Sequence, residues 1–158
     1  MLESPSTTPD GRAERRGIRL AGAALLLAAA VIHIIEIRDA EIAFLVVGFA
    51  LSALGTLGAA LLLLSRGPRL GWLIGGGAAG LTFLGYVVSR TIGLPGDKED
   101  IGNWGEPLGV VSLVVEGLVV VLAIWALADA HRINTRIAAE ELKSVTPGLT
   151  KDMRHAHD

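Results

Sequence analysis

The chain has 158 residues, of which 51% are hydrophobic, 19% are charged and 4% are aromatic, and its mean hydropathy is +0.54. This balance excludes a disordered chain and is unusually apolar for a water-soluble domain of this length. The formal net charge of −2 excludes nucleic acid as a partner, because nucleic-acid binding requires a basic excess. The absence of cysteine excludes disulfides, thiolate metal sites and iron–sulfur clusters. The composition therefore predicts an integral membrane protein whose first partner is the lipid bilayer.

Along the chain, residues 1–16 are rich in proline and short polar side chains and predict a disordered N-terminus. Four apolar stretches of about 20 residues or more follow, each long enough to cross a hydrocarbon core of about 30 Å as a helix. They cover residues 17–37, 42–64, 70–92 and 107–128. Residues 131–158 predict a tail that contains a short amphipathic helix ending before Pro147. The expected fold is all-α, a four-helix transmembrane bundle at residues 17–130.

The positions of lysine and arginine predict the orientation of this bundle. The chain has 14 such residues, and all but Arg38, Arg90 and Lys98 lie before or at the beginning of the first stretch, between the second and third stretches, or after the fourth. Basic residues concentrate on the cytoplasmic side, so we expect a multi-pass protein of the cell membrane with both termini cytoplasmic. The link at residues 93–106, between the third and fourth stretches, then faces outward.

Small and aromatic residues agree with a bundle in lipid. Small residues recur at four-residue spacing in the second and third stretches, where they let helix backbones approach closely. The run from Gly75 to Gly80 formally matches a dinucleotide-binding fingerprint, but that fingerprint requires a strand before it, so packing is the better interpretation. Trp72, Trp104 and Trp125 fall near the ends of stretches, where amphipathic rings prefer the membrane interface. The helix faces lined by small residues are also compatible with a homo-oligomer or with an assembly with other membrane subunits.

Polar side chains within the stretches are the features that indicate function. A charge near the bilayer centre costs at least about 2.5–3.5 kcal/mol, so it normally faces the bundle interior and has a partner. Glu116 lies about 15 Å into the fourth stretch and is expected either to stay protonated or to pair with Arg90 or His33. The orientation places polar residues of three stretches in the outer leaflet, where they predict a ligand-binding site made of His33, Glu36, Tyr86, Ser89, Arg90, Glu106, Ser112 and Glu116.

The residues leave the bound species, and any cofactor, unknown. His33, Glu36 and Glu116 offer one imidazole and two carboxylates, a set that suits a transition metal such as zinc, iron or manganese. Haem is disfavoured because His33 is the one histidine within the stretches. A proton-coupled site fits the same residues, with Glu116 taking the proton and Arg90 holding an anionic group.

Three functions remain from these observations. The leading one is an integral membrane protein whose outer-leaflet polar pocket binds a small ligand or ion, as an accessory or transport component. The alternative is a structural or interaction subunit that binds no ligand, in which the polar residues hold the helices together. The third is a metal-dependent membrane enzyme, although the sequence contains no serine-hydrolase set and predicts no catalytic residue.

One set of motifs resembles those of a group of membrane proteins. The segment Ser89–Gly96 is followed by Trp104–Gly109 and then by Ser112 and Glu116. This pattern resembles a group of small four-span bacterial membrane proteins that carry Ser-Arg-Thr-x-Gly-Leu-Pro before Glu-Pro-x-Gly. Members of the group also tend to have a histidine in the first span, which His33 would match. The resemblance implies the four-span fold and a membrane location, and it implies no activity.

Overall fold

The computed structural model describes residues 9–65, 67–96 and 98–155, with side chains at 11, 13–65, 67–96 and 98–143. The described part contains helices and no strand, so the all-α class is confirmed. The helices are α1 (Pro9–Asp39), α2 (Ala43–Leu64), α3 (Pro68–Thr91) and α4 (Pro107–His155). Each contains a segment long and apolar enough to cross a membrane, namely Ala13–Asp39, Ala43–Leu64, Pro68–Thr91 and Pro107–Lys143. The four predicted apolar stretches are therefore confirmed as helices of membrane-spanning length.

The first and last helices extend further than the sequence predicts. Helix α1 begins at Pro9, so residues 9–16 are helical instead of disordered, and residues 1–8 lie outside the described residues. Helix α4 continues to His155 in place of a separate amphipathic helix, and the break predicted before Pro147 is wrong. Residues 118–146 contain neither glycine nor proline and are rich in strong helix formers, so no second helix begins there, and α4 then runs through Pro147 and Gly148 without a break.

The chain divides into two compact units, residues 1–124 and residues 125–158. The first unit contains α1, α2, α3 and the beginning of α4. The second contains the remainder of α4, where the described side chains from His131 onward are mostly exposed. All the predicted site residues belong to the first unit.

Within the first unit, glycine allows the helices to pack closely. Helix α1 packs against α2, and α2 packs against α3. A Cβ atom added to Gly71 of α3 would lie 2.9 Å from the backbone nitrogen of Leu63, and one added to Gly76 would lie 2.6 Å from the Cβ of Ala123 in α4. These glycines are therefore packing positions, which supports the same interpretation of the Gly75–Gly80 run.

The distribution of side chains in the first unit is the reverse of that in a water-soluble protein. Many large aliphatic side chains are exposed, among them Leu54 at 68% and Leu81 at 74%. The buried positions instead include many alanines together with polar or charged residues, namely His33, Thr56, Ser89, Arg90, Ser112 and Glu116. Exposed apolar surface on this scale is stable in lipid, so the fold is that of an integral membrane protein in contact with the bilayer.

Two side chains near the ends of helices make contacts with a neighbouring helix that the sequence did not predict. Trp72 is buried against Gly22 of α1, so its indole packs between helices, and its expected place at the membrane interface stays a prediction. Arg19 of α1 donates hydrogen bonds to the backbone carbonyl of Leu63, at 2.9 Å from Nε, and to that of Ser65, at 2.7 Å from Nη2. These carbonyls lie at the end of α2, where the helix dipole is negative, so Arg19 ties α1 to the C-terminus of α2.

Candidate functional site

The predicted site residues lie at one end of the first unit, where α1 and α3 end and α4 begins, and they form two groups. We call the first the histidine cluster, which consists of His33, Glu36, Ser112 and Glu116. We call the second the arginine clasp, which consists of Tyr86, Ser89, Arg90, Asp100, Trp104 and Glu106. Asp100 and Trp104 were not among the predicted site residues.

In the histidine cluster, His33 lies between two carboxylates. Its Nδ1 atom is 3.1 Å from Oε2 of Glu36, which lies three residues later on the same face of α1. Its Nε2 atom is 3.3 Å from Oε1 of Glu116 in α4. The side chains of His33 and Glu116 are 1% and 2% exposed, whereas that of Glu36 is 17% exposed. The cluster is therefore closed around Glu116 and reaches the surface at Glu36.

The contact between His33 and Glu116 is close but is not a well-aligned hydrogen bond. The Nε2 atom of His33 is buried and has no hydrogen-bond partner among the described residues. The hydroxyl of Ser112 instead donates to Oε1 of Glu116 at 3.3 Å, one turn along α4. Glu116 is thus held in the bundle interior by a hydroxyl and faces the ring of His33 across a short gap.

Phe49 of α2 completes the surroundings of His33. The two rings are stacked, with centroids 6.0 Å apart and planes inclined by 22°. Phe49 thus lies beside the imidazole, while each ring nitrogen faces its own carboxylate. The sequence did not predict this role, because Phe49 is one of many apolar residues in α2 and its spacing does not distinguish it.

The arginine clasp is built around a buried guanidinium at the end of α3. Arg90 is 4% exposed and forms ion pairs with the carboxylates of Asp100 and Glu106. The Cζ atom of Arg90 lies 4.8 Å from the ring centroid of Tyr86, within the range of a cation–π contact. The rings of Trp104 and Tyr86 meet edge to face, with centroids 6.2 Å apart. Arg90 therefore holds the α3–α4 link against the end of α3.

The backbone of the link supports this attachment. The N–H of Gly102 donates to the carbonyl of Arg90 at 2.8 Å. Gly102 has a φ of 83°, in the left-handed region that other residues rarely adopt, so a glycine is suited to this position.

The structure decides between the two partners that the sequence offered for Glu116. The partner is His33, whereas Arg90 pairs with Asp100 and Glu106. Glu116 lies ten residues after Glu106, which corresponds to about 15 Å along α4, so one guanidinium does not serve both carboxylates. Because two carboxylates already neutralise Arg90, it is also poorly suited to the anion-binding role expected from the sequence.

Tyr86 of α3, a member of the arginine clasp, packs against the predicted polar face of α4 at Gly109. Glu106, Gly109, Ser112 and Glu116 follow one another along this face at steps of three and four residues. A Cβ atom added to Gly109 would collide with the ring of Tyr86, so the glycine provides the space for that ring. The hydroxyl of Tyr86 is buried and has no hydrogen-bond partner among the described residues.

The predicted metal ligands do not converge on one point. Among the described residues, no three His, Cys, Asp or Glu side chains are grouped so that they could hold a metal ion. The reason is the position of His33, since Glu36 faces Nδ1 and Glu116 faces Nε2. An imidazole binds a metal through one nitrogen, and either edge of this ring offers a single carboxylate.

Comparison with protein-family models, with curated proteins and with solved structures finds no match for this chain. The resemblance based on Ser89–Gly96 and Trp104–Gly109 therefore stays a prediction. The features that bear on function are the geometry and charge of the histidine cluster and of the arginine clasp.

Proposed function

We propose that this chain is a multi-pass protein of the cell membrane that binds a small cation from the outer side at the histidine cluster. In this proposal both termini are cytoplasmic, since 11 of the 14 lysines and arginines lie at the helix ends and in the segments that would then face the cytoplasm. The observation that carries the proposal is the buried position of His33 between the carboxylates of Glu36 and Glu116.

The charges of the cluster are the reason to expect a cation. Two carboxylates face one imidazole, so the ionised cluster keeps a net negative charge even when His33 is protonated. The effective cost of a buried, uncompensated charge is several kcal/mol, and the neutral hydroxyl of Ser112 compensates it only in part. A proton or a small cation that enters from the outer side would neutralise the cluster.

The rest of the bundle supports binding over conduction. Towards the opposite end of the first unit, the buried side chains of the described residues are aliphatic or aromatic, with Leu26, Leu63 and Val119 among them. Thr56 is a buried exception, and its hydroxyl donates to the carbonyl of Ser52 at 2.8 Å. These side chains provide no polar route across the membrane, which favours an accessory role over a transport role.

The alternative functions have less support. An interaction subunit would use the helix faces lined by small residues as contact surfaces, but Gly71 and Gly76 are in close contact with helices of the same unit. A metal-dependent enzyme would need three ligands that converge, and the described residues do not offer such a group. In the structural alternative the polar residues hold the helices together, but one carboxylate would suffice to pair with the imidazole of His33, and the cluster has two.

Thermal unfolding in mild detergent, followed by tryptophan fluorescence, tests the proposal. A ligand that binds the folded state alone raises Tm, so Tm is measured over a range of pH and with sodium, magnesium or zinc chloride in place of choline chloride. We expect Tm of the wild type to respond to pH or to one of these cations, and Glu116→Gln to lose that response. The matched control is Glu41→Gln, which removes an exposed carboxylate and should keep the response. A response that is absent from the wild type, or unchanged in Glu116→Gln, would refute the proposal.

A further inference from the structure

We infer that the cation is a proton, and that it travels between the outer side and Glu116 through Glu36 and the imidazole of His33. This inference rests on the proposed function, because it names the ion that the histidine cluster takes up and the path that the ion follows.

The two ends of the path differ in their access to the surface. The side chain of Glu36 is 17% exposed and lies three residues before the end of α1 at Asp39. The side chain of Glu116 is 2% exposed, so it exchanges protons with the outer side through a neighbour. That neighbour is His33, whose Nδ1 lies 3.1 Å from Glu36 and whose Nε2 lies 3.3 Å from Glu116. An imidazole can accept a proton on one nitrogen and release the proton on the other.

The transfer balances in protons and charge. His33 begins neutral, with its hydrogen on Nε2. A proton from the outer side binds the carboxylate of Glu36 and then passes to Nδ1, which restores the carboxylate and forms an imidazolium. The Nε2 proton passes to Oε1 of Glu116, which becomes a neutral carboxylic acid, and the imidazole keeps its hydrogen on Nδ1. Release follows the same steps in reverse and restores the first tautomer.

The groups around the ring favour this path over others. The titratable groups in contact with His33 among the described residues are Glu36 from α1 and Glu116 from α4, while α2 contributes Phe49, which does not titrate. Each nitrogen of the ring therefore faces one carboxylate, and the neighbouring ring of Phe49 offers no competing proton acceptor.

Helix α3 and the link contribute charged and titratable groups that belong to the arginine clasp, namely Tyr86, Arg90, Asp100 and Glu106. Among the described residues Glu106 pairs with Arg90 and Ser112 with Glu116, and no hydrogen bond or ion pair joins Glu106 to Ser112. A second path along α4 therefore lacks its first contact, whereas each nitrogen of His33 lies within 3.3 Å of a carboxylate.

Infrared spectroscopy after a rapid drop in pH tests the path on the full-length protein in detergent. The carboxylic-acid band of Glu116 is identified as the band that Glu116→Gln removes. In Glu36→Gln we expect this band to reach its wild-type intensity at least about 10²-fold more slowly, as is typical when a positioned proton-transfer group is lost. Glu36→Asp keeps a carboxyl group and should restore most of the rate, whereas Glu41→Gln should leave both rate and intensity unchanged.

The possible results of these experiments test the proton path and the proposed function separately. If Glu36→Gln keeps the wild-type rate, the path through Glu36 is wrong, although Glu116 still binds a proton. If the wild type develops no such band but its Tm rises with sodium, magnesium or zinc, the ion is not a proton and the proposed function stands. If neither response occurs, both the inference and the proposed function are wrong.

Discussion

The free energies of unfolding of Glu116→Gln and His33→Leu should be strongly non-additive. Nε2 of His33 and Oε1 of Glu116 lie 3.3 Å apart and both side chains are at least 98% buried, so removing either side chain leaves the other without this partner. Removing one member of a buried pair typically costs about 3–5 kcal/mol, and residues in contact couple by about 0.5–3 kcal/mol. Glu116 retains the hydroxyl of Ser112 and His33 retains Glu36, so we expect a coupling energy of about 2 kcal/mol.

The matched control is the same double-mutant cycle between Glu116→Gln and Arg90→Met. Arg90 pairs with Asp100 and Glu106, and it shares no ion-pair partner with Glu116 among the described residues. The losses in the free energy of unfolding caused by Glu116→Gln and by Arg90→Met should therefore add to within about 0.5 kcal/mol. Both cycles can be measured by reversible unfolding in mixed micelles, with tryptophan fluorescence as the probe. A coupling with Arg90 that equals or exceeds the coupling with His33 would refute these assignments.

Two further predictions concern packing and orientation. Gly76→Ala should destabilise the protein by about 1–3 kcal/mol, because the new methyl would lie 2.6 Å from Cβ of Ala123. Gly77→Ala, with no atom within 4 Å of the new methyl, should stabilise it by about 0.5–1 kcal/mol, and equal effects on Tm would contradict the packing of α3 on α4. The chain has no cysteine, so Lys98→Cys should react in intact cells with an impermeant thiol reagent, and Lys143→Cys should react only after permeabilisation. Equal or reversed labelling would overturn the orientation.

The number of helices long and apolar enough to cross a membrane, and the bounds of α2 and α3, could be predicted from the sequence. The predicted stretches 42–64 and 70–92 end within two residues of α2 and α3. This agreement has a physical reason, because the free energy of placing a segment in lipid is largely a sum over its own residues. The helical limits outside the apolar stretches were less accurate, since nothing apolar marks where α1 begins or α4 ends.

Most residues of the candidate site could also be predicted, because helical spacing places them on a common face of their helix. His33 and Glu36 are three residues apart, and Ser112 and Glu116 are four apart, and each pair is in contact. Asp100 was missed because it lies in the link, where no helical period indicates its direction. Phe49 was missed because the side chain that it packs against belongs to another helix.

The pairing between helices was decided by the tertiary structure alone. Sequence position allowed Glu116 to meet either Arg90 or His33, and the rotation of α4 relative to α1 selects His33. The burial of Trp72 has a similar origin, since Gly22 on α1 leaves the space that the indole occupies. Hydrophobic periodicity indicates which face of a helix is buried, but it does not specify which residue of a neighbouring helix that face meets. This second choice depends on how closely the backbones approach, and therefore on contacts between residues far apart in the chain.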